Sequence, residues 1–274
     1  MRTLDGGAGG GQLVRTALAV SAVTGEAFEM LAVRGARDNP GLRPQHVAAI
    51  ETVATIANAT TEGVTVGATR FAFDPGEVTG GTHEVAIGTA GSITLVFDSV
   101  LPIALRLDTP LSVAVTGGTD VKWSPPFDYL TTVKLPVLQS FGLQATATLD
   151  RRGFYPAGGG AAELALEPSH IEPISIDERG PLASLAVHSV AADPLREASV
   201  AERQADAAVD ALDETAAVRV ASTATYADAL SKGSVVLVVA EYESSRAGFS
   251  ALGEPGVPAE TIADRAVQRF REFE

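Results

Sequence analysis

Residues 5–18 read Asp-Gly-Gly-Ala-Gly-Gly-Gly-Gln-Leu-Val-Arg-Thr-Ala-Leu, and this stretch is the first indication of the fold class. A short strand precedes it, and its five glycines form a loop. Apolar residues at helical spacing follow, and Gly25 closes the predicted helix. The predicted apolar face consists of Leu13, Val14, Ala17, Leu18 and Val20. Strand, glycine loop and helix in succession indicate an α/β or α+β chain.

The alternation of strands and helices continues beyond this first junction. Residues 47–57 repeat the helical spacing, and residues 70–73 alternate like a strand. Residues 85–87 then lead into a second glycine-rich junction at 88–92, again between a strand and a helix. These patterns extend the α/β prediction over the first hundred residues.

Prolines and glycines punctuate the middle of the chain. A helix is predicted to start at residues 125–126, and Pro136 should kink or interrupt it because proline lacks a backbone donor. The glycines at 158–160 predict a turn into an edge strand at 163–167. Residues 168–173 predict the approach to a domain boundary.

A second unit of strands and helices is predicted after that boundary. Strands are predicted at 182–190 and 234–242, and helices at 197–212 and 258–273. The predicted apolar helix faces are Val200, Ala205, Val209 and Leu212 in one helix, and Ile262, Ala266, Phe270 and Phe273 in the other. No internal repeat is regular enough to be identified from the sequence alone.

The charge balance argues against general adhesion to nucleic acid. The chain has 34 acidic and 20 basic residues and a formal net charge of -14, so its far field repels polyanions. A local arginine cluster can still hold phosphate, because short bidentate contacts are screened less than the far field. Only three of the basic residues are lysines, and arginine preference with acidic excess is typical of a proteome adapted to high salt.

The 274 residues contain no cysteine, which excludes disulfides, zinc-thiolate sites and thiol catalysis within them. The four histidines are too scattered to suggest a metal cage. The first residues lack the basic start and apolar run of a signal peptide, and no run approaches the ~20 apolar residues of a membrane span. A cytoplasmic protein that does not cross a membrane is therefore expected.

The glycine stretch at residues 5–12 is a candidate phosphate site. Its bare amides lie next to the positive start of a helix, where anions bind. No Gly-Lys-Ser/Thr follows, so it is not a Walker loop, and no acidic ribose partner marks a dinucleotide site. A tight turn that needs only positive φ is the alternative interpretation.

A second candidate is the stretch from Arg34 to His46, Arg-Gly-Ala-Arg-Asp-Asn-Pro-Gly-Leu-Arg-Pro-Gln-His. It concentrates three arginines, a glutamine and a histidine at the mouth of a helix. The planar fork of arginine suits phosphate oxygens, and a helix start adds donors. Each residue alone favours a solvated loop, whereas together they predict an oxyanion pocket.

In these stretches the chain resembles the RNA 3'-terminal phosphate cyclase family. The matching segments, in order, are residues 5–18, residues 34–46, Ala86-Ile-Gly-Thr-Ala-Gly-Ser-Ile-Thr-Leu-Val96, Gly117-Gly-Thr-Asp120, Pro125-Pro126 and Gly153-Phe-Tyr-Pro-Ala-Gly-Gly-Gly160. Beyond residue 160, Gly233-Ser234 and residues 250–260 are also similar to the family.

The resemblance implies the fold of cyclases and enolpyruvyl transferases: a large domain of repeated two-helix, four-strand units with a smaller α/β insert. The large domain is expected at 1–177 and the insert at 178–274. The implied reaction is ATP-dependent: an enzyme histidine takes AMP, the RNA 3'-phosphate accepts that AMP, and the neighbouring 2'-hydroxyl displaces it. The product is a 2',3'-cyclic phosphate. The implied partners are ATP, a divalent ion (Mg or Mn) and RNA 3'-phosphate ends.

Carried over by motif, the phosphate-binding residues are expected to be Arg15, Arg34, Arg37, Gln45 and His46. For the nucleotide, Pro125 matches a proline that packs on adenine, and Asp98 stands where the family usually has glutamine. The structural alternatives are a surface ion pair for Arg15, a helix cap for His46 and a first helical turn for Pro125.

Two further departures bear on the expected activity. The glycine loop has no acid between Asp5 and Gln12, where the family usually carries a glutamate that helps hold the divalent ion. None of the four histidines matches the nucleophile, which in the family lies after the insert, so a C-terminally short member is expected.

Two alternatives to an active cyclase stay open at this point. A noncatalytic cyclase-like protein used in ribosome assembly would keep the fold and the anion pocket without adenylylation. An enolpyruvyl transferase shares a related repeated fold and also holds phosphate with arginines, but the ordered cyclase motifs argue against it.

Overall fold

The computed structural model describes residues 1–213 and 218–274, which form helices and four-stranded sheets. They divide into two compact units. The first unit consists of Met1–Gly117, Gly142–Thr148 and Ala162–Ile171, and the second of Gly118–Phe141, Leu149–Ala161 and Glu172–Glu274. The division into a large domain at 1–177 and an insert at 178–274 stays a prediction.

The first sheet begins with the strand, glycine loop and helix predicted from the sequence. Its elements are β1 (Arg2–Asp5), α1 (Gly11–Thr24), β2 (Phe28–Leu31), α2 (Pro44–Ile56), β3 (Thr60–Glu62) and β4 (Phe71–Asp74). The strand order is β1-β2-β4-β3, with β1 and β2 parallel and the other pairs antiparallel. Parallel pairing of β1 with β2 requires the crossover that α1 provides.

Helix α1 buries a different face from the predicted one. Its buried residues are Val14, Leu18, Ala19, Ser21 and Ala22. Leu13 and Val20 are exposed, so their placement on the core face was wrong. Val14, Leu18 and Ala22 follow one another at steps of four and form one stripe, whereas Leu13 lies about 100° around the helix from Val14.

The second sheet repeats the topology of the first. Its elements are β5 (Gly81–Ala86), α3 (Ile93–Val100), β6 (Leu111–Gly117), α4 (Phe127–Tyr129), α5 (Leu135–Ser140), β7 (Ala145–Arg151) and β8 (Gly160–Leu166). The order β5-β6-β8-β7 is the order of the first sheet with each number raised by four. The structure thus confirms the repeated units that the resemblance implies.

Strand β8 is not the edge strand that the sequence predicted. It lies between β6 and β7, and its alternate residues Ala162, Leu164 and Leu166 are buried. Preceding glycines and a short alternating run identify the strand, but they carry no information about how many neighbours it has.

The helical stretch 127–140 changes its hydrogen bonding in front of Pro136. A wider π-helical turn spans Leu130–Lys134 between α4 and α5, so the predicted interruption occurs while the chain stays helical. Pro136 has no N–H for the carbonyl four residues earlier, that of Thr132. Arg246 Nη1 donates to this carbonyl at 2.9 Å.

The third sheet belongs to the second unit. Its elements are β9 (Leu182–Ala192), α6 (Val200–Asp213), β10 (Val220–Ala227), β11 (Ser234–Tyr242), β12 (Arg246–Leu252) and α7 (Ala259–Phe273). The strand order is β10-β9-β11-β12, and β9 pairs with β10 in parallel. The strands predicted at 182–190 and 234–242 are confirmed.

The helices of this sheet differ from prediction at their ends. The predicted start at residue 197 is wrong, because Asp193–Ala198 forms a 3₁₀ turn and left-handed Ser199 precedes α6. In α7, Ile262, Ala266 and Phe270 are buried as predicted, whereas Phe273 is 48% exposed. None of the helices in the described residues is long and apolar enough to cross a membrane.

Candidate active site

The glycine loop, residues 6–10, joins β1 to α1 in the first unit. The Gly7 N–H donates to Asp5 Oδ1 at 2.8 Å, and the Gly7 carbonyl accepts the N–H of Ala36 at 2.8 Å. Gly10 is extended and immediately precedes the first helical residue, Gly11. The loop is therefore fixed on one side by its own aspartate and on the other by the segment that follows β2.

That segment, residues 32–43, is called the arginine loop below. Ala32 and Arg34 have left-handed backbones, with φ of 50° and 53°. Side chains with a Cβ rarely adopt this conformation, and strain of this kind concentrates at functional sites. Arg34 Nη1 donates to the carbonyls of Asn39 and Gly41, each at 2.9 Å, so the side chain is held by its own loop.

The glycine loop and the arginine loop meet at the start of α1. A Cβ atom on Gly10 would lie 3.1 Å from Arg37 Nη2, and one on Gly11 would lie 2.2 Å from His46 Nε2. The second distance is far inside van der Waals contact. Only glycine at position 11 leaves room for the imidazole edge in this arrangement.

His46 lies in the first turn of α2 and is 3% exposed. Its Nδ1 accepts the backbone N–H of Arg43 at 3.0 Å, as expected of a residue that caps its helix. Burial and the charges of Arg34, Arg15 and Arg43 lower the pKa of His46 to about 4. The ring is therefore neutral near pH 7, and because Nδ1 accepts, we assign its proton to Nε2, which faces Gly11.

Positive charge accumulates around this ring. Burial and the charges of Arg43 and Arg37 lower the pKa of Arg34. Among the described residues, no carboxylate forms an ion pair with any of these three arginines. Excess positive charge without a counterion is characteristic of a site built for an anion.

Arg15 and Asp98 face each other from α1 and α3. Burial lowers the pKa of Arg15, and the charge of Asp98 acts in the opposite direction. Since the charge of Arg15 also lowers the pKa of His46, α1 contributes a fourth guanidinium to the same cluster. Asp98 thus lies at the border of the cluster, on the helix that follows the second glycine-rich junction.

Gln45 lies against that second junction, residues 88–92. A Cβ atom on Gly91 would lie 3.1 Å from Gln45 Cβ. Ser92 Oγ caps the start of α3 by accepting the N–H of Leu95 at 3.3 Å. The start of α2 and the start of α3 therefore lie close together.

The structure brings together five predicted phosphate-binding residues, Arg15, Arg34, Arg37, Gln45 and His46. Their roles stay predictions. Arg43 was quoted within the motif but was not among the predicted site residues, although its charge acts on both Arg34 and His46. Its place directly before Pro44, at the start of a helix, was the signal in the sequence.

Pro125 belongs to the second unit. It precedes Pro126 and α4, and Asp120 Oδ1 accepts the N–H of Phe127 at 3.3 Å where that helix begins. The turn that carries Pro125 is thus fixed at its far end by a buried carboxylate.

A buried ionic cluster that sequence reasoning missed surrounds this carboxylate. Arg152, 8% exposed, donates to both oxygens of Asp120 at 3.0 and 3.1 Å and to both oxygens of Asp128 at 2.7 Å. Burial acts to lower the pKa of Arg152, but the two carboxylates raise it overall. Asp120 and Arg152 lie in or beside two of the matching motifs, which was the available signal.

No group of three His, Cys, Asp or Glu side chains that could hold a metal ion occurs within residues 1–213 and 218–274. Asp5 directly precedes the glycine loop, and one of its oxygens already accepts the Gly7 N–H. The described residues therefore supply no ready-made metal cage at the cluster of arginines.

Comparison with known proteins agrees with the motifs. The family model described as RNA 3'-terminal phosphate cyclase matches residues 6–252. A Halobacterium salinarum protein of that name is 52% identical, over 100% of this chain and 82% of its own length. Proteins of the same name from Pyrococcus furiosus and Methanopyrus kandleri are 42% and 41% identical, each over 98% of this chain and 79% of their own length.

Proposed function

Because the chain belongs to the RNA 3'-terminal phosphate cyclase family, we propose that it converts an RNA 3'-phosphate into a 2',3'-cyclic phosphate at the expense of ATP. AMP and diphosphate are released, which places the enzyme in the ligase class. The observation that carries the proposal is the cluster of four arginines around the buried, neutral imidazole of His46.

The arginine cluster suits a terminal phosphate better than an internal one. A 3'-phosphate carries up to two negative charges and three free oxygens, whereas a backbone phosphodiester carries one charge. The arginine loop presents guanidinium groups with which no carboxylate of the described residues forms an ion pair, and Arg34 is already oriented by two carbonyls. Preorganised donors of this kind stabilise charge without reorganising at the moment of reaction.

His46 serves in this proposal as a neutral hydrogen-bond donor, not as the nucleophile that takes AMP. Its Nδ1 lone pair is used by Arg43, and Nε2 carries the proton. A donor at Nε2 can bind a phosphate oxygen, whereas attack on a phosphorus atom requires a free lone pair.

The proposed reaction consists of two successive bond exchanges at phosphorus. First the bond from the α-phosphorus of ATP to diphosphate breaks, and the AMP group becomes bonded to an oxygen of the terminal phosphate, which turns a poor leaving group into a good one. The ribose 2'-oxygen then bonds to the phosphorus of the terminal phosphate, the bond between this phosphorus and the AMP oxygen breaks, and the hydroxyl proton is released to a base. In this step the arginines hold the non-bridging oxygens and fix the reacting geometry.

The nucleotide side of the proposal involves Pro125 and Asp98. We assign Pro125 to the adenine face, since its turn is held by Asp120, and Asp98 to the border of the phosphate cluster through Arg15. A divalent ion, Mg or Mn, would be carried chiefly by the phosphates of ATP, as is common for Mg²⁺. The ion would neutralise part of the negative charge of these phosphates. The proposed compartment for the reaction is the cytoplasm.

The test compares two RNAs that differ only at the 3' end, one with a phosphate and one with a hydroxyl. Arg34→Ala and Arg37→Ala should each weaken binding of the phosphorylated RNA about tenfold or more and leave the hydroxyl RNA nearly unchanged. Arg2→Ala, at the opposite end of β1 and paired with Glu26, is the matched control. Equal losses for both RNAs would show that the arginines read only the backbone.

A cyclisation assay with ATP completes the test. Cyclic product from the wild-type chain, lost in the Arg37→Ala variant, supports the enzyme. Selective binding of the 3'-phosphate without AMP transfer or cyclic product, under conditions in which a family member is active, would favour the noncatalytic cyclase-like protein instead.

A further inference from the structure

A group of exposed apolar side chains lies in the second unit and has no role in the proposed chemistry. Trp123 is 95% exposed, and Tyr155 and Leu230 are each 71% exposed. Trp123 is the only tryptophan in the chain, and aromatic residues make up 5% of it. Large side chains so fully exposed in one region mark a binding surface more often than an accident of packing.

The topology brings these side chains to one end of the unit. Asp120 and Phe154 form a parallel bridge, so the loop that carries Trp123 and the turn that carries Tyr155 begin side by side. The segment that follows Tyr155 contacts Leu230, because a Cβ atom on Gly159 would lie 2.4 Å from Leu230 Cδ1. The three side chains thus belong to adjacent loops.

Basic side chains accompany them. Arg151 Nε donates to the carbonyl of Gly159 at 2.5 Å, which holds its guanidinium on the same turn. Lys122 and Lys232, neighbours in sequence of Trp123 and Ser231, are two of only three lysines in the chain. Together the surface, called the aromatic patch below, consists of Lys122, Trp123, Arg151, Tyr155, Leu230 and Lys232.

The base of the patch is rigid. Asp120, three residues before Trp123, is fully buried and holds Arg152, which adjoins Arg151. Ala157 donates its N–H to Ser231 Oγ at 3.0 Å and ties the two remaining loops together. Trp123 itself has a left-handed backbone, with φ of 64°, so the loop presents the indole at the cost of local strain.

The charge of the patch contrasts with that of the whole chain. The chain carries a net charge of -14, yet three of the six patch residues are cations. The Lys122 ammonium lies 3.6 Å from Glu254, but both side chains are exposed, and such a pair is weak enough to yield to a phosphate. Aromatic faces with flanking cations are the combination that binds single-stranded nucleic acid.

We propose that the aromatic patch binds single-stranded stretches of the substrate RNA. Bases stack on Trp123 and Tyr155, and Arg151, Lys122 and Lys232 contact backbone phosphates. The inference rests on the proposed function for the identity of the ligand. A protein partner fits the patch less well, because lysine is depleted in the cores of protein interfaces.

Because Trp123 is the sole tryptophan, the intact chain reports its own stacking. Titration with a 3'-hydroxyl RNA dodecamer should quench the intrinsic tryptophan fluorescence saturably, whereas a dinucleotide at the same phosphate concentration should quench it far less. An unchanged emission while the labelled dodecamer binds, as followed by anisotropy, would overturn the inference. This readout needs no catalysis.

A second readout uses cyclisation at saturating ATP. The KM of the 3'-phosphorylated dodecamer should be about tenfold below that of the 3'-phosphorylated dinucleotide. Trp123→Ala and Lys232→Gln should bring this ratio towards one, Trp123→Phe should keep most of it, and Leu105→Ala, an exposed leucine of the first unit, should not change it.

The two proposals fail in different ways. If neither RNA is cyclised, the proposed function fails, and quenching by the hydroxyl dodecamer still decides the patch. If both RNAs are cyclised with equal KM and no quenching occurs, the patch does not bind RNA. In that case, loss of self-association or of a protein contact in Trp123→Ala would assign it to a protein partner.

Discussion

Gly11 leaves the space in which the Nε2 edge of His46 lies, and Gly10 leaves the space for Arg37. Because neither residue has a Cβ atom, the start of α1 can pack closely against the arginine loop. The glycines of this stretch therefore have a second physical role besides offering bare amides to a phosphate. The glycines make room for side chains as well as for a ligand.

Gly11→Ala is expected to displace His46 and to weaken binding of a 3'-phosphorylated RNA about tenfold or more, because the new Cβ would lie 2.2 Å from Nε2. Gly9→Ala is the matched control. Its Cβ would meet Leu13 Cδ1, the end of an exposed side chain that can rotate away. Isothermal titration calorimetry with both variants checks this. Equal affinities for the two would mean that the close approach has no role in binding.

Stability should depend on the protonation of His46. The pKa of His46 is about 4 in the folded chain and 6.5 ordinarily, so the unfolded chain binds more protons between these values. The free energy of unfolding should therefore fall as the pH drops from about 6.5 to 4, by up to about 3 kcal/mol.

His46→Asn isolates this dependence, because an amide oxygen can still accept the Arg43 N–H but does not titrate. The difference in urea-unfolding free energy between wild type and variant should change with pH over this window. A constant difference would contradict the assigned pKa.

Among the elements, the starts of helices α1 to α4 are each fixed by a different device. Helix α1 begins at bare glycines, α2 at Pro44 with His46 folded back on Arg43, and α3 at the hydroxyl of Ser92. Helix α4 begins where Asp120 accepts the N–H of Phe127. Since these devices reside in short motifs, the motifs predict the positions of helix starts well.

Other properties of the elements could not be predicted from the sequence. The strand at 163–167 was assigned to a sheet edge, but β8 lies inside the sheet, because neighbours are set by pairing with distant segments. The apolar face of α1 was placed partly on Leu13 and Val20, which are exposed, because small residues leave the helical pattern ambiguous. The Arg152 cluster joins residues separated by 32 and 24 positions, beyond any local signal.

Arg152→Met should destabilise the chain by roughly 3–5 kcal/mol, because it leaves Asp120 and Asp128 unpaired, the former fully buried. Arg151→Met, at the neighbouring exposed position, should cost less than about 1 kcal/mol. Chemical denaturation measures both. Adding Asp120→Asn and Asp128→Asn to Arg152→Met should recover part of the loss. If no recovery occurs, the cost comes from lost packing and not from unpaired charge.

At the scale of the whole molecule, a strongly acidic chain must bind a polyanion through a small cationic site. The net charge of -14 predicts that the chain does not adhere generally to nucleic acid, and the arginine loop is the local exception. The family and its repeated units followed from ordered motifs. The two compact units could not be predicted from these motifs, because each unit is assembled from three separate segments of the chain.

Salt should therefore accelerate RNA association instead of slowing it. Screening weakens the repulsion between RNA and the acidic surface over distances longer than the contacts in the pocket, so the association rate constant should rise roughly twofold to tenfold from ~0.01 M to ~0.5 M salt. Stopped-flow measurement with a labelled RNA checks the direction. The Asp264→Asn, Glu272→Gln variant, with a formal charge of -12 instead of -14, should show a smaller rise. A rate that falls with salt, as for basic RNA-binding proteins, would contradict this expectation.

The bond from Arg246 to the Thr132 carbonyl also has a consequence for biosynthesis. The ribosome makes the helical stretch at 127–140 early, but the side chain that completes its hydrogen bonding follows 114 residues later. A nascent chain that has not yet reached β12 therefore carries an open carbonyl in front of Pro136. During translation, this helix can complete its hydrogen bonding only after the third sheet has been synthesised. A pause in translation before residue 246 would therefore prolong the lifetime of an incompletely folded intermediate.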